Sequence, residues 1–257
     1  IKMMNLKKMM MASALLVTAC CMQAQTKAIA HRGFWKTPGS SQNSIAALQK
    51  ADSIGCYGSE FDVWIAKDNK LIVNHDPVYK MRPMEYSKGD ALTGLKLSNG
   101  ENLPSLKQYL EAGKKCDTQL ILELKAHSTK KRETKAVQEI VAMVKSMGLE
   151  NRMEYITFSL HAMKEFIRLA PTGTPVFYLN GDLSPEELKE LGAAGFDYHM
   201  GVIKKHPEWI KEAHDLGMKV NVWTVDEAED MKWLIEHKAD FITTNEPIVL
   251  QKELKQQ

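Results

Sequence analysis

The sequence predicts an α/β protein of the (β/α)8 barrel class. Eight short apolar runs begin near residues 27, 58, 119, 153, 174, 196, 218 and 240, and nearly every one is followed by a segment with helical apolar spacing. That alternation builds a parallel sheet, and eight such units in roughly 230 residues fit this barrel. The rival architecture, an open doubly wound sheet, announces itself with GxGxxG after its first strand. Here Gly33 is the only glycine at that turn.

Each element has its own warrant. Lys27-Ala28-Ile29-Ala30-His31 is an apolar run ending at a turn, and Asn43–Ile54 places Ile45, Leu48 and Ala51 on one helical face before Gly55. Gly58–Ile65 alternates as a strand does, and Leu71-Ile72-Val73 pairs with it through the turn Lys67-Asp68-Asn69-Lys70. Leu103–Gly113 is a helix opened by Pro104-Ser105, Gln119–Leu124 is a strand, and Thr129–Met147 is a long amphipathic helix closed by Gly148. Strands then follow at Met153–Phe158, Thr174–Leu179, Phe196–His199, Met218–Trp223 and Asp240–Thr243. Helices follow at Leu160–Leu169, Pro185–Leu191, Pro207–Leu216, Asp226–His237 and Pro247–Lys255. Met81–Asn102, with Pro83, Gly89, Gly94 and Gly100, is the least regular stretch and reads as a surface excursion that could lie over the site. No repeat or linker interrupts residues 25–257, which read as one domain.

The chain has 257 residues, 44% hydrophobic and 26% charged, which are ordinary globular values. Residues 1–24 hold Lys2, Lys7, Lys8 and no acid, so removing them takes the formal net charge from +2 to −1. A near-neutral body gives no electrostatic basis for binding nucleic acid. Lys7-Lys8, a short apolar stretch and small residues read as a secretory signal over residues 1–24. Its exit has two readings. Val17-Thr18-Ala19-Cys20 resembles a lipobox, which would lipidate Cys20 and tether the protein to a membrane. Met22-Gln23-Ala24 resembles an ordinary cleavage site before Gln25. Either way the protein is expected outside the cytoplasm, in the periplasm or anchored to the outer side of a bacterial membrane. Cys56 and Cys116 remain in the body and read as buried free thiols, lacking CxxC or metal-ligand spacing.

The chemistry lies at strand ends, where such barrels build their sites. Glu60 and Asp62 are two apart and face the same way from one strand, and Glu123 occupies the equivalent rim of the next. Three carboxylates at one rim need a cation to stay ionised, and oxygen-only ligands suit Ca²⁺ or Mg²⁺. His31 and His75 flank that cluster as acid–base candidates, with Arg32 beside one of them. A cation, a guanidinium for phosphoryl oxygens and a proton donor–acceptor pair make a phosphodiester constellation. The other six histidines lack such company and read as structural.

In order along the chain, His31-Arg32-Gly33, Asn43-Ser44, Glu60-Phe61-Asp62-Val63, Lys67-Asp68 and Val73-Asn74-His75-Asp76 resemble the glycerophosphodiester phosphodiesterases. Leu122-Glu123-Leu124-Lys125, Phe158-Ser159, Val222-Trp223-Thr224-Val225 and Ile242-Thr243-Thr244-Asn245-Glu246-Pro247 continue the likeness over roughly residues 28–250. The resemblance implies a barrel of the phospholipase-C-like phosphodiesterase type that cleaves glycerophosphodiesters to glycerol 3-phosphate and an alcohol, with one divalent cation. It implies His31 and His75 as catalytic pair, Glu60, Asp62 and Glu123 as metal ligands, Arg32 and Lys125 on the phosphate, and Trp223 walling the glycerol pocket. One departure stands out. The family usually carries Glu as a further metal ligand where this chain has Gln42. An amide oxygen still ligates hard cations, but with one negative charge fewer, so weaker or differently selective metal binding is expected. The short stretch between Asp76 and Pro104 leaves little room for an inserted module, so an open substrate mouth is expected. The rival functions are cleavage of intact phospholipid or phosphoinositide, and a non-catalytic binding protein on the same barrel.

Overall fold

The structure, a computed structural model, describes residues 25–256. The elements run β1 (Lys27–Ala30), α1 (Ile45–Ser53), β2 (Gly58–Ile65), β3 (Leu71–Val73), β4 (Val78–Tyr79), β5 (Arg82–Pro83), α2 (Gly89–Thr93), α3 (Leu106–Gly113) and β6 (Gln119–Leu124). They continue through α4 (Lys130–Met147), a 3₁₀ turn (Glu150–Arg152), β7 (Met153–Thr157), α5 (Leu160–Leu169), β8 (Val176–Tyr178), α6 (Pro185–Glu190) and β9 (Gly195–His199). The last are α7 (Met200–Lys205), α8 (Glu208–Asp215), β10 (Lys219–Trp223), α9 (Ala228–Glu236), β11 (Phe241–Thr244) and α10 (Pro247–Leu254). Eight parallel strands, β1, β2, β6, β7, β8, β9, β10 and β11, pair in chain order, and β11 returns to β1. The sheet is therefore a closed (β/α)8 barrel. The helices start where the sequence offers side-chain caps. Ser44, Thr129 and Ser159 accept from their first turns, and Ser105 with Gln108 and Ser184 with Glu187 form capping boxes.

Strand periodicity divides the interior into two cores. Outward residues such as Phe61, Leu122, Tyr155, Phe196 and Val222 pack under the helices in the main cluster. Inward residues Ile29, Ile121, Ile156, Phe177, Leu179 and Phe241 form a separate cluster inside the barrel. The same period that sends Phe61 and Val63 outward sends Glu60 and Asp62 inward. Cys56 and Cys116 are buried free thiols.

The excursion differs from the irregular lid that its composition predicts. β4 and β5 form a hairpin, α2 follows, and the segment packs a small core of its own: Met84, Leu92, Leu97 and Leu103 against Trp64 and Ile72. It is a side wall of the mouth, fixed to the outside of β2 and β3. The sequence reading also passes over α7, whose six residues start with His199 as N-cap, accepting from the Gly201 N–H at 3.0 Å.

Candidate active site

The turn after β1 is unusual in its backbone. Arg32 lies at φ 57° and Gly33 at φ 76°, and a Cβ on Gly33 would sit 2.6 Å from the Ala47 Cβ and 2.7 Å from its carbonyl carbon. Only glycine lets this turn close against α1. A non-glycine residue in the left-handed region costs on the order of 1 kcal/mol. The conformation aims the Arg32 N–H at Glu60 Oε2, 2.8 Å away, and its guanidinium at Gln42 Oε1 (2.7 Å) and Asp62 Oδ2 (3.8 Å). Asn43, also left-handed at φ 59°, holds Asp62 from both sides. Its Nδ2 donates to Asp62 Oδ2 at 2.8 Å, and its Oδ1 accepts from the Asp62 N–H at 3.1 Å.

Glu60 and Asp62 on β2 and Glu123 on β6 are buried, with one carboxylate oxygen from each within 4.8 Å of the others. Burial and then repulsion from Asp62 and Glu123 push Glu60 well above the usual carboxylate range, and burial and Asp62 push Glu123 up to about 7. Burial would raise Asp62 too, but Lys125, His75, Arg32 and the Asn43 hydrogen bond hold it low. Lys125 Nζ lies 2.7 Å from Glu123 Oε1 and 3.3 Å from Asp62 Oδ1, while Glu60 Oε1 is buried with no partner. A buried, over-charged, all-oxygen cluster with an orphaned oxygen fits a hard divalent cation. Gln42, the fourth oxygen donor expected, has its Oε1 on Arg32 and reaches the cluster through that guanidinium.

His31 extends the β1 ladder, its N–H on Thr244 O at 2.9 Å. Its Nδ1 is 2.8 Å from Asn245 Oδ1, and its Nε2 faces Glu60 Oε2 at 4.0 Å. The partners of Asn245 fix its amide. Asn245 Nδ2 donates to Asp226 Oδ2 at 2.8 Å, and Trp35 Nε1, which can only donate, points at Asn245 Oδ1 at 3.1 Å. Oδ1 therefore faces His31, so the neutral imidazole carries its proton on Nδ1 and leaves Nε2 as a lone pair toward the carboxylates. Burial, with the neighbouring Arg32 charge, pulls His31 down to about 4. His75 stands opposite, its Nδ1 2.8 Å from Asp76 Oδ1 and its backbone oxygen accepting from Trp64 Nε1 at 3.2 Å.

These groups line one side of a cleft of about 120 Å³, and Ile156, Phe158, Leu179 and Trp223 line the other. Trp223 is fixed by its Nε1 donating to Asp197 O at 2.9 Å and by edge-on contact with Phe158, centroids 5.5 Å apart. Of the residues singled out in the sequence, His31, Arg32, Glu60, His75, Glu123, Lys125 and Trp223 line this cleft; Asp62 lies behind it and Gln42 at its outer edge. Sequence alone assigns no role to Asn43, Asp226, Asn245 or Asp197. Asp197 lines the cleft with a buried, unpartnered Oδ1, and burial keeps its carboxyl far above the usual range. The remaining histidines have structural work. For example, His127 Nε2 accepts the Ile65 N–H at 3.0 Å, and His214 meets Asp240 at 2.8 Å.

Known proteins share this fold. Residues 31–249 match the model of the glycerophosphoryl diester phosphodiesterase family. A glycerophosphodiester phosphodiesterase of Caldanaerobacter subterraneus subsp. tengcongensis is 27% identical over 241 residues, covering 88% of this chain and 96% of that protein. The crystal structure of a glycerophosphodiester phosphodiesterase from Parabacteroides distasonis superposes with a TM-score of 0.89 at 51% identity, covering 91% of this chain and 98% of that one. An Oleispira antarctica phosphodiesterase, solved with the product sn-glycerol-3-phosphate, shares the fold at a TM-score of 0.75 and 19% identity, covering 90% and 97%. With strand-end residues, closed barrel and relatives in agreement, the chain belongs to the glycerophosphoryl diester phosphodiesterase family and is a phosphoric diester hydrolase of that class.

Proposed function

We propose that the protein hydrolyses glycerophosphodiesters to glycerol 3-phosphate and an alcohol in a metal-dependent reaction, with His31 and His75 as the proton-transfer pair. The observation that carries this reading is the single cleft that two histidines and a buried carboxylate cluster share with an apolar, aromatic wall. A glycerol moiety fits against Trp223 and Phe158, where Asp197 offers an oxygen to a glycerol hydroxyl. That pose puts the phosphate beside Arg32, His31 and His75. Glu60, Asp62 and Glu123 would hold Ca²⁺ or Mg²⁺, which supplies charge neutralisation for the phosphoryl oxygens. Arg32 adds its guanidinium to the same oxygens. His31, with Nε2 unprotonated, takes the proton of the nucleophile. His75, its Nδ1 held by Asp76, donates a proton from Nε2 to the departing alkoxide. The nucleophile is water or the glycerol 2-hydroxyl; a transient cyclic phosphate in the phosphorus NMR spectrum identifies the second.

The test is release of glycerol 3-phosphate from glycerophosphocholine and glycerophosphoethanolamine, in EDTA and then with Ca²⁺ or Mg²⁺ restored. Release only with metal is expected. Release that EDTA does not affect would remove the cation from the reading, and no release at all would remove the substrate class. A second reading, action on intact phospholipid, has one observation in its favour: Val78, Met81 and Tyr86 are exposed at the β4–β5 side wall, Met81 at 94%. Turnover of lipid vesicles with none of the soluble diester would replace the first reading with the second. Export, and a tether at Cys20, rest on residues 1–24, which lie outside the described residues. The intact mass of the mature protein distinguishes a lipidated Cys20 from a chain starting at Gln25.

A further inference from the structure

His75 lines two cavities. The inner one is the cleft with Trp223; the outer is a groove of about 490 Å³ walled by the turn after β1 and by the side wall after β3. We propose that this groove is the subsite for the departing alcohol, and that it selects a neutral polyol, of the glycerol, inositol or hexose class, over a cationic amino alcohol. The proposal rests on the phosphodiesterase reading above and adds the chemistry of the leaving group to it.

Position comes first. With glycerol in the inner cleft and the phosphate at Arg32 and His75, the leaving oxygen that His75 protonates lies at the boundary of the two cavities. Whatever that oxygen carries extends into the outer groove, whose size admits a sugar-sized group.

The wall of the groove then sorts candidates by charge. A quaternary or primary ammonium is bound by open aromatic faces and uncommitted carboxylates. The two aromatic rings of the groove are Trp35 and Tyr79, and each has a lysine ammonium 5.6 Å from its centroid: Lys36 at Trp35, Lys80 at Tyr79. The carboxylate on the wall, Asp76, is engaged by His75. The nearby Glu246 is engaged by Lys36 at 2.5 Å. A cationic head group would therefore meet the Lys36 ammonium on the wall and two carboxylates already paired.

Much of the remaining wall is hydroxyl and amide. Ser40, Ser41 and Ser98 contribute hydroxyls, Gln42 and Asn74 contribute amides. Groups that both donate and accept match the hydroxyls of a polyol, and the edges of Trp35 and Tyr79 supply apolar surface for its C–H faces. Trp35 is held in place by Asn245, the residue that also holds His31, so the platform for the head group and the proton acceptor are fixed by one side chain.

The experiment compares kcat/KM of the metal-loaded protein on glycerophosphoglycerol, glycerophosphoinositol, glycerophosphocholine and glycerophosphoethanolamine, then repeats it with Lys36→Gln. The two polyol diesters are expected to exceed the two cationic ones by about tenfold or more, equivalent to about 1.4 kcal/mol. Lys36→Gln frees Glu246 and uncovers Trp35, so it is expected to lower KM for the cationic diesters and close most of that gap. Equal rates on all four, or a preference for choline, would overturn the polyol subsite while leaving the phosphodiesterase reading standing. An unchanged ratio in Lys36→Gln would overturn the charge argument. Cleavage of none of the four would overturn the underlying reading, and the subsite with it.

Discussion

At the scale of single residues, the site depends on amides as much as on charges. Asn245 accepts from His31 only because Asp226 holds its amide in one orientation, so Asn245→Leu and Asp226→Leu should release the His31 tautomer. Loss of roughly 10–100-fold in kcat is expected, as for other partners that orient a functional histidine. The ¹⁵N shifts of His31 should move from one tautomer to a mixture; unchanged shifts with a lost rate would sink the positioning role. Direct removal is more severe. His31→Ala and His75→Ala should each lose about 10²–10⁴ in rate while keeping the wild-type fold by circular dichroism. Near-wild-type turnover in either would reassign the proton transfers. Glu60, Asp62, Glu123, His31 and His75 are legible in the sequence because strand period and charge type suffice to bring them together. Asn43 and Asn245 are not, because an amide declares its role only through its partners. His31 and Asn245 are 214 positions apart, and no local pattern connects them.

At the scale of elements, the two ends of the barrel do different work. The site occupies the end where strands finish; Asp240, just before β11, clamps the end where they begin. Its carboxylate accepts from the Val220 N–H at 2.9 Å, from Lys219 Nζ at 2.8 Å and from His214 at 2.8 Å, tying β10, β11 and α8 together. Burial alone would raise its pKa, but the His214, Lys219 and Val220 hydrogen bonds outweigh it and hold the group low. A carboxylate depressed in the folded state contributes stability above its unfolded pKa of about 4, and loses that contribution as pH falls through the lower folded value. Asp240→Asn should cost about 1–3 kcal/mol at pH 7. In urea titrations the gap from wild type should narrow below about pH 4, with kcat unaffected. A gap constant down to pH 2 would mean the charge is not what stabilises. Most elements are legible because each has a start signal and a period: α4 runs from its Thr129 cap to left-handed Gly148, and β2 and β6 end where their alternation does. The β4–β5 hairpin, α2 and α7 are not, because segments of two to six residues contain too little of any period and are held by tertiary contacts such as Met84 and Leu92 in the side-wall core.

At the scale of the whole molecule, closure concentrates charge. A parallel sheet in chain order must close on itself to bring the end of β1 beside those of β2 and β6, and closure also removes water from what points inward. The alternation of strands and helices makes that topology legible, since right-handed crossovers between sequential strands leave few other arrangements. The outer groove is not legible, because it forms only when the side wall packs beside the turn after β1. The consequence of closure is a folded state carrying Glu60, Asp62 and Glu123 at one buried rim with only part of their charge compensated by Arg32 and Lys125. The unfolded chain does not bring these three groups together, so a cation that binds the folded state alone should stabilise it by mass action, by about 2.7 kcal/mol at a concentration 100 times its Kd. For a barrel of this size that corresponds to a rise of roughly 5–10 °C in the thermal midpoint. Differential scanning calorimetry in EDTA and in millimolar Ca²⁺ or Mg²⁺ measures it without reference to activity. Glu123→Gln, which removes one ligand charge, should shrink the rise. Gln42→Glu, which adds a carboxylate beside the cluster, should enlarge it by tightening the metal Kd. If Gln42→Glu left the metal-dependent rise unchanged, the charge at residue 42 would not be what sets metal affinity. If neither ion moved the wild-type midpoint, Lys125 and Arg32 would be the counter-charges of the cluster, and the proposed metal dependence would fall with it.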